Sequence, residues 1–259
     1  GSTGPNLKPE TCVRMGEAFH ASTAKPEGAA DSLGMVAQPL KLYCLNATLR
    51  IKPERRDAFL TCIGNAVVET HKEPLAVSYL FGEDESEPNV FHVHQAYQGR
   101  EGFDAHRETP HYEAWQHFAA TDPFVALPEG YVFVADLVPS AAAPTEPPVL
   151  CLNVRFTVKP ERRDEFLREI DADQRGTMSN EPLAKVMLVG EDVSAPSTFH
   201  LHEQFSRGRE GFKAHLAAPH FQPWQAFVDS EPFTDGLISA SYYPMGSVAS
   251  DPAAELPAS

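Results

Sequence analysis

The sequence predicts an α+β protein made of two copies of one ferredoxin-like unit, each with the order β-α-β-β-α-β. First, the segment KPERRDAFL at Lys52 recurs with one change as KPERRDEFL at Lys159. Second, equivalent residues such as His92 and His200 keep nearly the same spacing along both copies. Third, strand-like and helix-like segments alternate in the same order in each copy. A repeat of this length is typical of a tandem domain rather than a solenoid.

The first half of the unit contains two strand patterns around a helix pattern. Apolar and polar residues alternate along part of LYCLNATLRI, which also contains β-branched residues. This pattern predicts a strand. Pro53 then stands where the first turn of a helix tolerates proline. The following segment places Phe59, Ile63 and Val67 on one helical face. Pro74 ends this helix, and LAVSYLFGED predicts the next strand.

The second half repeats the alternation. NVFHVHQAY predicts a third strand, and GREGFDAH with PHYEAWQHFAA predicts a helical region that is interrupted at Pro110. GYVFVADLV closes the unit as a strand. The second copy repeats this order from Leu150 to about Tyr243.

Changes in composition divide the chain into five segments. We predict an N-terminal arm at 1–38, a first domain at 39–138, a Pro/Ala linker at 139–148, a second domain at 149–246 and a C-terminal tail at 247–259. The arm is rich in Pro and Gly and has no periodic apolar pattern, so we expect it to be dispensable for folding.

The composition excludes several classes of partner. The formal net charge of −15 argues against a nucleic-acid backbone or an anionic membrane as partner. No apolar run approaches the ~20 residues that a membrane-spanning helix needs. The four cysteines form no CxxC pair, which indicates a reducing compartment, either the cytoplasm or an organelle interior. A targeting peptide that is later removed remains compatible with the sequence.

The second helical region carries a recognisable motif. FHVHQAYQGREGFDAHRETPHYEAW and FHLHEQFSRGREGFKAHLAAPHFQPW resemble the antibiotic biosynthesis monooxygenase (ABM) family, in which a strand ends in an aromatic residue and a helix carrying AH is followed by PHF or PHY. The resemblance covers both units almost completely. Members of the family usually form homodimers whose sheets face each other. The resemblance therefore implies an intramolecular pseudo-dimeric α+β barrel, with a pocket between each sheet and its helices.

Self-pairing of the two units has a physical reason. A ferredoxin-like sheet has helices on one face and an apolar open face on the other, and that open face must be buried. The linker holds the second copy nearby at an effective concentration on the order of mM. We therefore expect a monomer, with further oligomers or a protein partner possible through the termini.

Two pairs of residues are candidates for catalysis. Asn46 and Asn153 place an amide in a strand that is otherwise apolar. Each amide either satisfies nearby backbone groups or, as the resemblance implies, faces a pocket. His106 and His215 lie on the short helix, where an imidazole can transfer protons or cap backbone groups. We expect each Asn to meet the His of its own copy across the sheet–helix layer.

Further histidines and aromatic residues are candidates for substrate binding. These are His92, His94, His200 and His202 on the third strands, and Trp115 and Trp224 in the aromatic stripe. An HxH pair also opens a cupin metal site, but the Glu of that pattern is missing at the required distance, so no metal site is expected. We expect one His of each pair to line a pocket and the other to form a hydrogen bond across the sheet. The stripe predicts core packing or the wall of a pocket for a flat ligand.

Heme-degrading members of the family suggest one alternative. By spacing, their axial histidine falls on Gln116 and Gln225, and only the first copy has a neighbouring His117. His117 is therefore a heme ligand only if the alignment shifts by one residue.

Three functions follow from the resemblance. The first is an oxygenase that acts on a small hydrophobic conjugated molecule without a flavin or metal of its own. The second is heme binding or heme degradation. The third is a non-catalytic ligand carrier or assembly subunit. Because His71 and His117 occur only in the first copy, we expect the first pocket to be the more active one.

Overall fold

The computed structural model describes residues 40–141 and 144–246. The first unit contains β1 (Lys41–Arg50), α1 (Arg56–Thr70), β2 (Ala76–Glu83), β3 (Val90–Gln98), α2 (Gly99–Arg107), α3 (Pro110–Ala119) and β4 (Glu129–Asp136). The second contains β5 (Leu150–Val158), α4 (Arg163–Asn180), β6 (Ala184–Glu191), β7 (Thr198–Phe205), α5 (Arg209–Leu216), α6 (Phe221–Asp229) and β8 (Phe233–Tyr242). The predicted α+β tandem repeat is confirmed. The arm at 1–38 and the tail at 247–259 lie outside the described residues.

Each unit contains one four-stranded antiparallel sheet. The strand orders are β2-β3-β1-β4 and β6-β7-β5-β8, so the first strand of each unit is central. The KPER segment forms a short 3-10 turn at Pro53–Arg55 and again at Pro160–Arg162, and each turn leads directly into the long helix. Proline is favoured there because its fixed φ suits a helical first turn and its missing N–H is not needed.

One face of each sheet packs against the helices of its own unit. In the first unit Phe59 and Ile63 of α1 contact the sheet through a core that includes Leu49 and Phe91. In the second unit Phe166 of α4 occupies the equivalent place. These are the apolar positions that the helical periodicity predicted.

The other face of each sheet packs against the other unit. Leu42, Cys44 and Phe133 of the first unit form one buried cluster with Val186 and Leu188 of the second. This contact buries the open apolar faces inside one chain. The predicted intramolecular pairing of the two repeats is confirmed.

The two sheets also meet along their edges. Asp84 at the end of β2 bridges to Tyr242 of β8, and Phe133 of β4 bridges to Asp192 just beyond β6. The backbone N–H of Val193 donates to the carbonyl of Val132 at 3.0 Å. These pairings close the sheets into a barrel.

Two equivalent glycines allow this close approach. A Cβ at Gly82 would stand 2.3 Å from the carbonyl oxygen of Tyr243, and a Cβ at Gly190 would stand 2.1 Å from that of Val134. Both contacts join one unit to the other, and both are with backbone, which cannot rotate away. The barrel seam therefore depends on the absence of a side chain at Gly82 and Gly190.

Among residues 40–141 and 144–246, no helix is long and apolar enough to cross a membrane.

Candidate functional site

Four polar side chains meet at the centre of the contact between the two sheets. Asn46 Oδ1 lies 2.8 Å from His94 Nδ1, and Asn153 Oδ1 lies 2.7 Å from His202 Nδ1. The amide nitrogens reach across the interface, where Asn46 Nδ2 donates to the carbonyl of Leu201 and Asn153 Nδ2 donates to that of Val93. The rings of His94 and His202 stack with centroids 3.5 Å apart. We call these four residues the interface quartet.

The interface quartet corrects the expected placement of the asparagines. Asn46 points toward the other sheet, whereas His106 packs on the helix side of its own sheet, against Tyr79 and Tyr97. The two residues therefore lie on opposite faces and do not line one pocket. The same separation holds for Asn153 and His215 in the second unit.

The remaining strand histidines also lie on the interface side. His92 Nε2 is 2.8 Å from Asp84 Oδ2, and His200 Nε2 is 2.7 Å from Asp192 Oδ2. Each ring contacts the other unit, with His200 stacked on Tyr131. The expectation that one His of each HxH pair lines a sheet–helix pocket is wrong. Strand alternation places both histidines of a pair on one face of the sheet, and that face is turned away from the helices.

The charges on this side follow from burial and hydrogen bonding. Burial lowers the pKa of His94 to about 3 and, together with the neighbouring His94, lowers the pKa of His202 well below its usual range. Burial also lowers the pKa of His92. Burial opposes ionisation of Asp84, but hydrogen bonds from Ser86 and His92 outweigh it and bring the pKa of Asp84 down to about 2.

The helix side of each unit contains a second polar cluster. In the first unit Glu73 Oε1 lies 2.8 Å from His106 Nδ1 and 2.7 Å from His111 Nε2. The hydroxyls of Thr70 and Thr109 also lie close to His111 Nε2, at 3.3 and 3.1 Å. This cluster ties the end of α1 to the junction between α2 and α3.

The second unit repeats this cluster. Glu181 Oε1 lies 2.8 Å from His215 Nδ1 and 2.7 Å from His220 Nε2, with Thr177 Oγ1 beside both imidazoles. We call these two groups the His-Glu-His clusters. Each of them brings its three donor atoms within 4.8 Å of one another, which is close enough for a metal ion.

Two buried carboxyl groups distinguish the second unit. Asp173 of α4 is 2% exposed and Glu203 of β7 is 5% exposed. Glu203 Oε1 lies 3.8 Å from His215 Nε2, and Asp173 Oδ1 has no hydrogen-bond partner among the described residues. By the repeat spacing, the first unit has Ala66 and Gln95 in their places.

These carboxyl groups and His215 influence one another. Burial raises the pKa of Asp173 and that of Glu203, each to about 7. Burial alone would lower the pKa of His215, but the carboxylates of Glu181, Glu203 and Asp173 together raise it above its ordinary value. Shifted ionisable groups of this kind are typical of functional sites, although structural networks produce them as well.

Comparison with known proteins identifies the family. The sequence profile described as antibiotic biosynthesis monooxygenase matches residues 42–117 and, a second time, residues 149–226. The two segments together make up more than half of the chain. This chain belongs to the antibiotic biosynthesis monooxygenase family. Its two units are therefore ABM domains.

Solved structures share the fold of the paired ABM domains. A candidate monooxygenase from Fusobacterium nucleatum subsp. nucleatum ATCC 25586 is 14% identical, covers 80% of this chain and 93% of its own, and gives a TM-score of 0.68. A candidate monooxygenase from Lactobacillus acidophilus NCFM gives 0.65 at 12% identity, with 79% and 94% covered. An anthrone oxidase-like protein gives 0.54 at 13% identity, with 82% and 94% covered. Each likeness extends beyond one ABM domain.

A curated protein resembles part of the chain in sequence. "Uncharacterized protein sll1783" of Synechocystis sp. (strain ATCC 27184 / PCC 6803 / Kazusa) is 30% identical over 64 residues, which are 25% of this chain. The match spans 44% of that relative's length, less than half of it.

The residues considered for heme do not come together in the ABM domains. His117 is exposed, with 77% of its side chain accessible, and its nearest acidic partner is Glu113 at 4.0 Å. Asn46 lies on the far side of the sheet, in the interface quartet. His117 and Asn46 therefore do not line one cavity, and heme binding stays a prediction.

The two tryptophans pack in the helix-side cores of the ABM domains. Trp115 contacts Phe59, Phe118 and Phe124, and Trp224 contacts Phe156 and Phe166 among other rings. Their positions agree with the core-packing interpretation of the aromatic stripe.

Sequence reasoning missed four acidic residues of the helix-side clusters. Glu73 and Glu181 precede a proline in both copies, in the segments KEPLA and NEPLA, and this recurrence was a usable signal. Asp173 lies on the same buried face of α4 as Phe166 and Ile170, at helical spacing from them. Glu203 follows the HLH segment, where the alternation places it opposite the histidines.

Proposed function

We propose that this ABM protein is an oxygenase that acts on a small hydrophobic conjugated molecule, and that the layer between sheet and helices in the second domain performs the reaction. One observation carries the proposal, namely the buried carboxyl of Asp173, whose Oδ1 has no hydrogen-bond partner within residues 40–141 and 144–246. It lies in a layer where His215 contacts the rings of Phe205 and Phe221. An apolar, aromatic layer with a buried proton acceptor suits a flat substrate that must lose a proton.

The proposed reaction uses no flavin and no heme. Asp173 accepts a proton from an activated CH₂ group of the substrate, and the conjugated rings stabilise the resulting carbanion. The carbanion gives an electron pair to O₂, forming a C–O bond and a hydroperoxide after protonation. Loss of water from the hydroperoxide leaves a carbonyl group, so one oxygen atom remains in the product and the other leaves as water. The surrounding side chains orient the substrate and exclude solvent.

The choice of the second domain reverses the expectation from the sequence. That expectation rested on His71 and His117, but His117 is exposed at the surface. On the helix side, the carboxyl groups of Asp173 and Glu203 are buried, and the first domain has Ala66 and Gln95 in their places. An acid–base role is therefore better supported in the second domain.

Oxygen consumption tests the proposal. Anthrone is the first compound to try, because one structural neighbour is an anthrone oxidase-like protein. Other conjugated compounds with an activated CH₂ or phenol group would complete the panel. We expect one oxygen molecule consumed for each carbonyl product detected by mass spectrometry. Asp173→Asn should lower the turnover roughly a hundredfold or more, whereas Ala66→Ser at the equivalent place should leave it unchanged.

Two results would contradict the proposal. One is binding of these compounds without oxygen uptake, which would favour the carrier alternative. The other is full activity in Asp173→Asn, which would exclude this carboxyl as the proton acceptor.

A further inference from the structure

The His-Glu-His cluster of the second domain draws its three donors from separate segments. Glu181 follows the last residue of α4, His215 lies near the end of α5, and His220 directly precedes α6. Their donor atoms are Oε1, Nδ1 and Nε2, and all three lie within 4.8 Å of one another. A fold brings such distant residues to one point either for hydrogen bonding or for a ligand.

We propose that Glu181, His215 and His220 bind a divalent first-row transition metal ion. Two imidazoles and one carboxylate are a donor set that such ions prefer, and three protein ligands leave coordination positions open for water or another ligand. This inference goes beyond the proposed oxygenase function, because no step of that reaction uses a metal.

Metal binding would require only a small widening of this cluster. The carboxylate oxygen now lies 2.7–2.8 Å from the two imidazole nitrogens, as in hydrogen bonds. Metal–ligand bonds of about 2.0–2.2 Å place neighbouring ligand atoms roughly 3.3 Å apart in tetrahedral geometry. The side chains would open by about half an ångström, and the ion would replace the protons that the donors share.

Glu203 provides the second observation in favour of a metal. A histidine that binds a metal through one ring nitrogen usually donates its other N–H to a carboxylate, which fixes the ring and strengthens the ligand. His215 would use Nδ1 for the metal, and its Nε2 lies 3.8 Å from Glu203 Oε1, an ion-pair distance longer than a hydrogen bond. In the first domain the equivalent Gln95 instead accepts a hydrogen bond from Tyr97.

Additional carboxyl oxygens in the second domain also favour a cation. Glu181, Glu203 and Asp173 place three carboxyl groups around His215 in a largely buried layer, and Asp173 Oδ1 has no hydrogen-bond partner among the described residues. A bound cation would stabilise the ionised form of each carboxyl group. Glu181 and His220 keep 10% and 20% of their side chains exposed, so an ion can reach the site from solvent.

The first domain is a natural control for the site. Its cluster of Glu73, His106 and His111 has the same donors and similar distances. It lacks the two additional carboxyl groups, because Gln95 and Ala66 stand in their places. We therefore expect one tight site in the second domain and a weaker one in the first.

The test is titration of the whole chain with Co²⁺ after treatment with a chelator, followed by displacement with Zn²⁺. We expect visible Co²⁺ absorption bands of a four- or five-coordinate site, saturating at one equivalent before a weaker second phase. Glu181→Gln and His220→Ala should abolish the tight phase, while Glu73→Gln and His111→Ala should leave it intact. Glu203→Gln should weaken it about 10–100-fold, and Gln95→Glu should strengthen the weak phase.

Each variant is checked for correct folding. Circular dichroism and thermal unfolding of each variant establish that it is folded, and Glu181→Gln preserves the size of the side chain if His220→Ala does not fold. Because no substrate is present, failure of the oxygenase proposal would not change the readout. The inference is overturned if the native chain gives no such bands, if the tight phase persists in Glu181→Gln, or if both domains bind equally well.

Discussion

At the scale of single residues, the interface quartet joins the two domains through neutral imidazoles. The rings of His94 and His202 are fully buried and stacked, and each is hydrogen-bonded to an asparagine rather than to a carboxylate. A positive charge on either ring would be uncompensated beside the other. The contact is therefore stable only while both rings remain neutral.

We predict that neither ring titrates in the ordinary histidine range. The pKa of His94 is lowered to about 3 and that of His202 is also lowered, so the folded state binds fewer protons than the unfolded state below pH 6.5. The stability that these residues contribute is thus present near neutral pH and decreases as the pH falls. Imidazole NMR shifts of both residues should stay constant from pH 8 to pH 5, with dissolved free histidine as the reference. A midpoint between pH 5 and 7 would contradict the prediction.

The asparagines of the quartet should affect stability more than ligand binding. Asn46→Ala removes the acceptor of His94 and the donor to Leu201, and leaves both groups buried. We expect a loss of about 1–3 kcal/mol in the free energy of unfolding, measured by urea denaturation. Asn153→Ala should give a similar loss, because its contacts are equivalent.

Asn180→Ala is the control for this prediction. Its side chain is exposed and donates to the carbonyl of Gly176 in its own helix, so the change should be small. A quartet variant with unchanged stability and weakened ligand binding would restore the pocket interpretation of Asn46.

At the scale of elements, the two glycines at the barrel seam set how closely the strands approach. We predict that Gly82→Ala and Gly190→Ala each destabilise the protein by roughly 1–3 kcal/mol, because the new methyl group would overlap a backbone carbonyl of the other domain. Denaturant unfolding measures the effect. Gly64→Ala is the matched control, since its Cβ would meet nothing within 4 Å in the helix α1. There we expect a gain of about 0.4–1 kcal/mol, and equal effects at all three positions would contradict the prediction.

The N-terminal arm is predicted to be dispensable for folding. Residues 1–38 have no periodic apolar pattern, and β1 begins at Lys41. A chain that begins at Gln38 should unfold cooperatively at the same denaturant concentration as the full chain. Aggregation or a broadened transition of the shorter chain would show that the arm contributes to the core.

At the scale of the whole molecule, each ABM domain covers the apolar sheet face of the other. The shared cluster around Phe133 and Val186 is completely enclosed within one chain. The pairing that the family resemblance expected between two chains is satisfied here internally.

We therefore predict a monomer at micromolar concentration. Sedimentation velocity should give a single species with the mass of one chain, 28.4 kDa. Separately produced segments 40–141 and 144–246 should aggregate or associate with each other, because each would expose its half of the shared cluster. A dimer in which two full chains exchange domains would contradict the prediction. Measuring the mass at several protein concentrations distinguishes this dimer from the monomer.

The sequence by itself determined the duplication, the order of the elements and the apolar face of the long helix α1. Each of these depends on local patterns. The helical spacing of Phe59 and Ile63 and the strand alternation of LYCLNATLRI are fixed by the backbone geometry of one element, whatever it packs against. The recurrence of KPERR likewise needs no knowledge of the fold.

Only the tertiary structure decided which face of the sheet each polar residue occupies. Alternation shows that His92 and His94 are on one face, but both faces of these sheets are buried, one by helices and one by the other sheet. Without a polar, solvated face, the pattern gives no direction. The candidate site was hidden for a related reason. Glu181, His215 and His220 lie on three separate segments, and nothing in the local sequence fixes the distance between residues that only the packed fold brings together.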